Sequence, residues 1–329
     1  MLLLIFASSA IREEFMSSGK GFLIGKASLL LLAAFVFLQI EPAIAPPPLK
    51  NDLAIDKNPA PVEKSVEVGA ESAEKPAMSP KLASAAAQNL QLKTNIGWDF
   101  GGKRQQGWQI YEPLVQETIK TKADARNGEF AAALSERQKS LGLLPSGILD
   151  ESTFRAFVAD WQSRRLKQRT PALPEELVGA APDDFYDPGR AAELRQIERE
   201  TYAAYKKMVA AAAQDKSLNL KTNSYGALAS GERFLKIVSS HRSKEYQNQL
   251  RAASPNSGRA ALAVNFSPHF TGRALDIYVG GEPVSTEDQN RLTQINTPVY
   301  KWLIKNAAQF GFRPYFYEPW HWEYVGAAE

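Results

Sequence analysis

The sequence predicts an α+β fold: a small antiparallel sheet with flanking helices, preceded by a small, mainly helical domain. Three observations carry this expectation. Short runs rich in β-branched, aromatic and aliphatic residues, Phe234 to Ser240, Ala274 to Val279 and Trp320 to Val325, read as strands. Two stretches of high helix propensity, 189–214 and 297–310, lie before and between them. Proline-rich segments set this half of the chain apart from what precedes it.

Taken in order, the chain opens with an uncharged apolar run, Ala27 to Ile40, preceded by Lys20 and Lys26 and ending near Ala43-Ile44-Ala45. That is the layout of a secretory signal, too short for an ordinary membrane span. Pro46 hinders cleavage there, so an uncleaved anchor is the alternative for residues 1–45. Arg12, Glu13 and Glu14 fit a signal poorly, which makes Met16 a candidate start. The expectation is export to the periplasm or cell envelope, with membrane contact only through this N-terminal segment.

Residues 46–95 are rich in Pro, Ala, Glu, Lys and Ser without apolar periodicity and read as a disordered tether. Residues 96–175 read as the helical domain. Within it Gly142 and Gly147 supply turn conformations, and Asp150 or Ser152 caps the helix that follows. Trp98, Trp108 and Trp161 are either buried or available to stack on sugars. Residues 176–188 read as a linker, the end of a stretch holding Pro171, Pro174, Pro182 and Pro188. In 189–329, Leu194, Ile197, Tyr202, Tyr205 and Met208 make an apolar stripe suited to core packing. Thr297-Pro298 opens the second helix and Gly311 closes it.

Composition narrows the function classes. With 329 residues and 44% apolar content the chain can build two modest domains. A net charge of +3 argues against a nucleic-acid partner. The absence of cysteine excludes disulfides and any thiolate metal site, so a bound metal must use histidine and carboxylate.

Those groups converge in the last sixty or so residues. Asp276 is the one group charged at neutral pH in an otherwise apolar strand, where a charge needs a partner. In the strand that follows Glu318-Pro319, His321, Glu323 and Val325 alternate onto one face, so His321 can face Asp276 across neighbouring strands. His269 precedes Asp276 behind a Thr271-Gly272 turn. Two imidazoles and one carboxylate make a three-donor set for one catalytic Zn²⁺ per chain, with a position left for water and Glu318 nearby as general base. Pro319 forbids the helical arrangement of two histidines four residues apart. Structural roles compete with these: Asp276 could pair with Arg273, and Glu323 is either solvated or orients a histidine. Trp320, Trp322 and Tyr324 are expected to pack the back of the sheet.

The same residues resemble the VanY-type D-alanyl-D-alanine carboxypeptidases, relatives of the zinc D-Ala-D-Ala dipeptidases. The family's SxHxxGxAxD element matches Ser267, His269, Gly272, Ala274 and Asp276, and its ExxH element matches Glu318 and His321. Upstream, Ser239-Ser240-His241-Arg242-Ser243-Lys244-Glu245-Tyr246-Gln247 is similar to the family's SxYRSxxYQ stretch, with His241 where an aromatic ring is usual. The resemblance covers about residues 185–329. It implies the hedgehog/DD-peptidase fold, Arg242 as the cation that stabilises the oxyanion, and Tyr246, Gln247 and Ser267 as groups that bind the peptide or hold the motif in shape. His241 by this reading packs as a ring, with a third metal-ligating histidine as the alternative. Residues 96–175 in turn resemble a helical peptidoglycan-binding domain, on Leu141-Gly142-Leu143-Leu144-Pro145-Ser146-Gly147 and the helices around it.

The function implied is release of a C-terminal D-alanine from peptidoglycan stem peptides, as a D,D- or L,D-carboxypeptidase, with glycan strands as a second partner. A peptidoglycan endopeptidase, a non-catalytic wall-peptide binder on the same fold, and a hedgehog-like interaction protein are the competing readings. The retention of Glu318 with the full donor set argues against the binder.

Overall fold

A computed structural model describes residues 79–253 and 267–326, all within one compact unit, Ser72–Glu329. The expected signal or anchor (1–45) and residues 46–78 of the expected tether lie outside the described residues. Among the described residues no helix is long and apolar enough to cross a membrane.

The first element already departs from expectation. Residues assigned to the tether form helix α1 (Pro80–Asn95), opened by Ser79, whose hydroxyl accepts from the Leu82 N–H, and by Pro80 at its first turn. Tertiary packing rather than periodicity selects it: the Asn89 amide is fully buried, donates to the Gly147 carbonyl at 2.8 Å and accepts from the Leu149 N–H at 2.7 Å. A hairpin follows, β1 (Gly97–Phe100) and β2 (Lys103–Gln106), turned through Gly101 and Gly102, both at positive φ. Then come helices α2 (Glu112–Thr118), α3 (Gly128–Ser140) and α4 (Glu151–Ser163). Asn127 caps α3, and Asp150, one of the two expected caps, accepts from the Thr153 N–H at the start of α4. Gly147 sits at φ 70°, where a Cβ would lie 2.7 Å from the Ala131 carbonyl oxygen, so the turn between α3 and α4 requires glycine.

The expected linker is part of the fold. Leu177–Gly179 forms β3, which pairs antiparallel with β4 (Gln196–Glu198). Helix α5 (Arg199–Gln214) consequently starts ten residues later than the propensity of 189–214 suggests. Backbone pairing claims residues 196–198, and the Glu198 carboxylate then caps the helix, accepting from the N–H groups of Glu200 and Thr201. Beyond it come β5 (Ile237–Ser239), α6 (Lys244–Ala253), β6 (Ala274–Ile277), α7 (Asp288–Ile295), α8 (Pro298–Asn306), β7 (Phe312–Pro314) and β8 (His321–Tyr324). The Thr297 hydroxyl caps α8, and Gly311, at φ 83°, closes the turn after it.

The sheet is antiparallel in the order β5-β6-β8-β7. On its back face Leu275, Ile277, Trp322 and Tyr324 are buried, with Tyr300 of α8 edge-on to Trp322. The helical part does not stand off as a separate domain, because it shares this hydrophobic core. Trp98 packs 6.3 Å from Phe316, and the Tyr111 hydroxyl accepts from buried Arg291 of α7 at 3.1 Å. Trp98, Trp108 and Trp161 are all buried, so these rings serve the core and not a sugar surface.

Candidate metal centre and cleft

Register brings the key residues into a row. Ser239 of β5, Asp276 of β6 and His321 of β8 are cross-strand partners, which puts their side chains on the same, front face. His269 arrives from outside the sheet on the single turn Pro268–Thr271. Gly272 ends that turn at φ 67°, and a Cβ there would meet the Glu198 backbone nitrogen at 2.9 Å. Only glycine lets the chain reverse this close to the start of α5 and bring His269 over β6.

His269, Asp276 and His321 are each less than 5% exposed, and one donor atom from each lies within 4.8 Å of the other two. His269 Nδ1 donates to the Ser240 carbonyl at 2.8 Å, which leaves Nε2 as a lone-pair donor 3.4 Å from Asp276 Oδ1. His321 Nδ1 lies 2.9 Å from the same oxygen. Its Nε2 lies 3.3 Å from Oε1 of Glu323, which is fully buried. Of the two roles expected for Glu323 the structure excludes the solvated one and places the carboxylate behind the histidine. Arg242 donates from Nη2 to Asp276 Oδ2 at 2.8 Å and from Nε to Ser239 Oγ at 3.0 Å, taking the place expected for Arg273 as the carboxylate's cation.

The electrostatics follow from burial and these contacts. Burial and the Arg242 charge lower the His269 pKa to about 4. Burial alone would raise the Asp276 carboxyl, but His269, His321 and Arg242 outweigh it and hold the group well below the usual range. Burial likewise disfavours a charged His321, yet hydrogen bonds to Asp276 and Glu323 raise its pKa to about 9. A neutral imidazole with a free Nε2, an ionised carboxylate and a second imidazole whose far nitrogen already has an acceptor are the donor chemistry that zinc takes, and this set fits it.

The centre floors a cleft of about 420 Å³, whose walls include Arg242, Tyr246, Ser267, Glu318, Trp320 and Arg190. Glu318 reaches it from a turn in which the His321 N–H donates to the Glu318 carbonyl at 2.9 Å. Burial raises the Glu318 pKa, the direction that suits a proton acceptor near neutrality. Trp320 lines the cleft instead of backing the sheet with Trp322 and Tyr324. Gln247 is fully buried in α6 and is not part of the cleft wall, whereas Tyr246 and Ser267 are. His241 opens into a separate hollow with Arg169, Pro171 and Phe270, so among the described residues it is not a third histidine of the cluster.

Two residues at the site carried no sequence signal. Tyr315 lines the cleft with its ring edge-on to His321 at 5.9 Å, and the Arg165 guanidinium lies 4.0 Å over the Tyr315 ring. Tyr315 sits in an aromatic run that reads as core, and Arg165 lies 158 residues from its carboxylate partner Glu323.

A comparison with curated proteins returned no match. A comparison with family models matched residues 194–327 to VanY, D-alanyl-D-alanine carboxypeptidase. That segment contains His269, Asp276 and His321, Arg242, Glu318 and the whole four-stranded sheet. The small antiparallel sheet with its flanking helices is the hedgehog/DD-peptidase-like arrangement of that family, and residues 194–327 of this chain belong to the VanY D-alanyl-D-alanine carboxypeptidase family.

Proposed function

We propose that this protein is a zinc-dependent peptidase that acts on peptidoglycan stem peptides and releases a C-terminal D-alanine outside the cytoplasm. The observation that carries the reading is the position of His269, Asp276 and His321 on the floor of a cleft whose walls hold an uncommitted carboxylate, Glu318, and, beside Asp276, the Arg242 cation. His269, Asp276 and His321 would hold the zinc. Bound zinc supplies Lewis acidity both to the scissile carbonyl and to a water molecule.

The remaining chemistry belongs to side chains. Glu318 takes the proton of the attacking water as it adds to the carbonyl, and returns it to the leaving amine as the C–N bond breaks. Arg242, fixed by Ser239 and Asp276, places positive charge beside the oxygen on which negative charge develops. Tyr246 and Ser267 offer hydroxyls to the peptide from the cleft wall. Glu323 accepts from His321 Nε2 and so presents Nδ1 to the centre.

The test is incubation of the purified protein with defined tripeptide-, tetrapeptide-, pentapeptide- and crosslinked wall fragments, with products weighed by mass spectrometry. Loss of one alanine from the pentapeptide or tetrapeptide, abolished by chelation and restored by zinc, is the expected result. Cleavage confined to crosslinked fragments would make the protein an endopeptidase. Zinc binding without turnover on any fragment would make it a wall-peptide binder.

A further inference from the structure

We infer that Arg165, which lies outside the family-matched segment 194–327, is a positioning residue for the metal centre, acting through Glu323 on His321. The inference rests on the zinc reading of the site. Glu323 is fully buried on β8, and its two oxygens make four contacts with three residues. Arg165 grips both oxygens, its Nε donating to Oε2 at 3.1 Å and its Nη2 to Oε1. The Leu166 backbone N–H donates to Oε2 at 3.0 Å, and His321 Nε2 meets Oε1. A two-pronged guanidinium plus a backbone donor leaves the carboxylate no alternative orientation.

The histidine inherits that order. An imidazole with Nε2–H held by a carboxylate must present Nδ1 as its lone-pair donor, and Nδ1 is the atom that faces Asp276. Arg165 is itself held: Nη1 donates to Gln162 of α4 at 3.0 Å, and the guanidinium stacks over Tyr315. Its side chain is 11% exposed. The end of the helical part is therefore a wall of the metal centre. It acts as the back support of one donor residue, distinct from any reach toward the cell wall.

The test must separate positioning from mere stability. Removing Arg165 alone strands a buried carboxylate, whereas replacing both members of a buried ion pair with apolar groups of similar size is often neutral for folding. The informative variant is thus the double substitution Arg165→Met with Glu323→Leu in the full chain, compared with Arg165→Lys and wild type. Zinc affinity is read by competition with a chromophoric chelator at a temperature where circular dichroism shows each protein folded. The double variant should bind zinc about 10–100-fold more weakly, the range for loss of a group that orients a metal-binding histidine. Arg165→Lys, which keeps the charge but not the two-pronged grip, should show a smaller loss in the same direction. At a pH above the His321 pKa, where the metal-free ring is neutral, the ¹⁵N shifts of His321, one of only three histidines in the chain, should change from a single Nε2–H tautomer in the wild type to a mixture in the double variant. A folded double variant, or a folded Arg165→Lys, with wild-type zinc affinity and an unchanged tautomer would overturn the positioning role alone. A wild type that binds no zinc would overturn the metal reading and this one together.

Discussion

Two regions flank His321, and each holds one glutamate. On the cleft side Glu318 lines an open space, and among the described residues no hydrogen bond or ion pair engages its carboxylate. On the opposite side Glu323 has no exposure, and Arg165, Leu166 and His321 hold both of its oxygens; burial would raise its pKa, but His321 and Arg165 bring it down to about 2. The same residue type, five positions apart, is left able to exchange a proton in one region and fixed as a permanent charge in the other. Surroundings assign the chemistry: a carboxylate with committed partners positions its neighbour, and one without them is available to react.

The largest effect tests what both regions serve. His321→Ala and Asp276→Asn should lose stoichiometric zinc and all measurable turnover, since methyl and neutral amide groups replace those donors poorly. Metal analysis of dialysed protein together with stem-peptide hydrolysis reads both. Next, Glu318→Gln should retain zinc while kcat falls by about 10²–10⁴-fold, the usual contribution of a general acid–base group. Loss of zinc in that variant would erase the contrast by making the cleft glutamate a ligand. A smaller catalytic effect, with a large thermodynamic one, is expected of the shared core. Trp98→Ala should cost about 3–5 kcal/mol of stability, seen as a lower urea midpoint, while the folded fraction keeps its zinc affinity. The smallest change is expected from His241→Tyr, which faces the separate hollow: zinc content and most of the activity should persist. Any zinc loss there would bring a third histidine into the centre.

What the sequence showed and what it hid divide along the same line. The front of the sheet was legible because strand alternation is a local rule: His321 and Glu323 had to share a face, and Asp276 in an apolar strand had to be paired. The rest of the cluster came from motif spacing, with Gly272 marking the turn that brings His269 in. Arg165 was not legible, because nothing in its neighbourhood specifies a partner 158 residues away. Helix α1 was hidden for a related reason: its residues lack strong periodicity, and the helix is tied down by Asn89, a polar residue bonded to a distant turn. The β3–β4 pair was concealed by prolines, which mark bends and edges but do not reveal that a strand runs between them.

The contacts that tie the helical part to the sheet also set when the centre can exist during folding. The Arg165–Glu323 and Tyr111–Arg291 bonds close chain segments of 158 and 180 residues. Closing a loop of that size costs an entropy that grows only slowly with length, roughly 4–5 kcal/mol on a logarithmic scale. It is recovered only when the core between the two halves has consolidated. Folding rate falls as such distant pairings accumulate. A refolding chain should therefore regain helical circular dichroism well before it can sequester zinc tightly, and the lag between the two signals would measure the time the chain needs to bring residues 165 and 323 together.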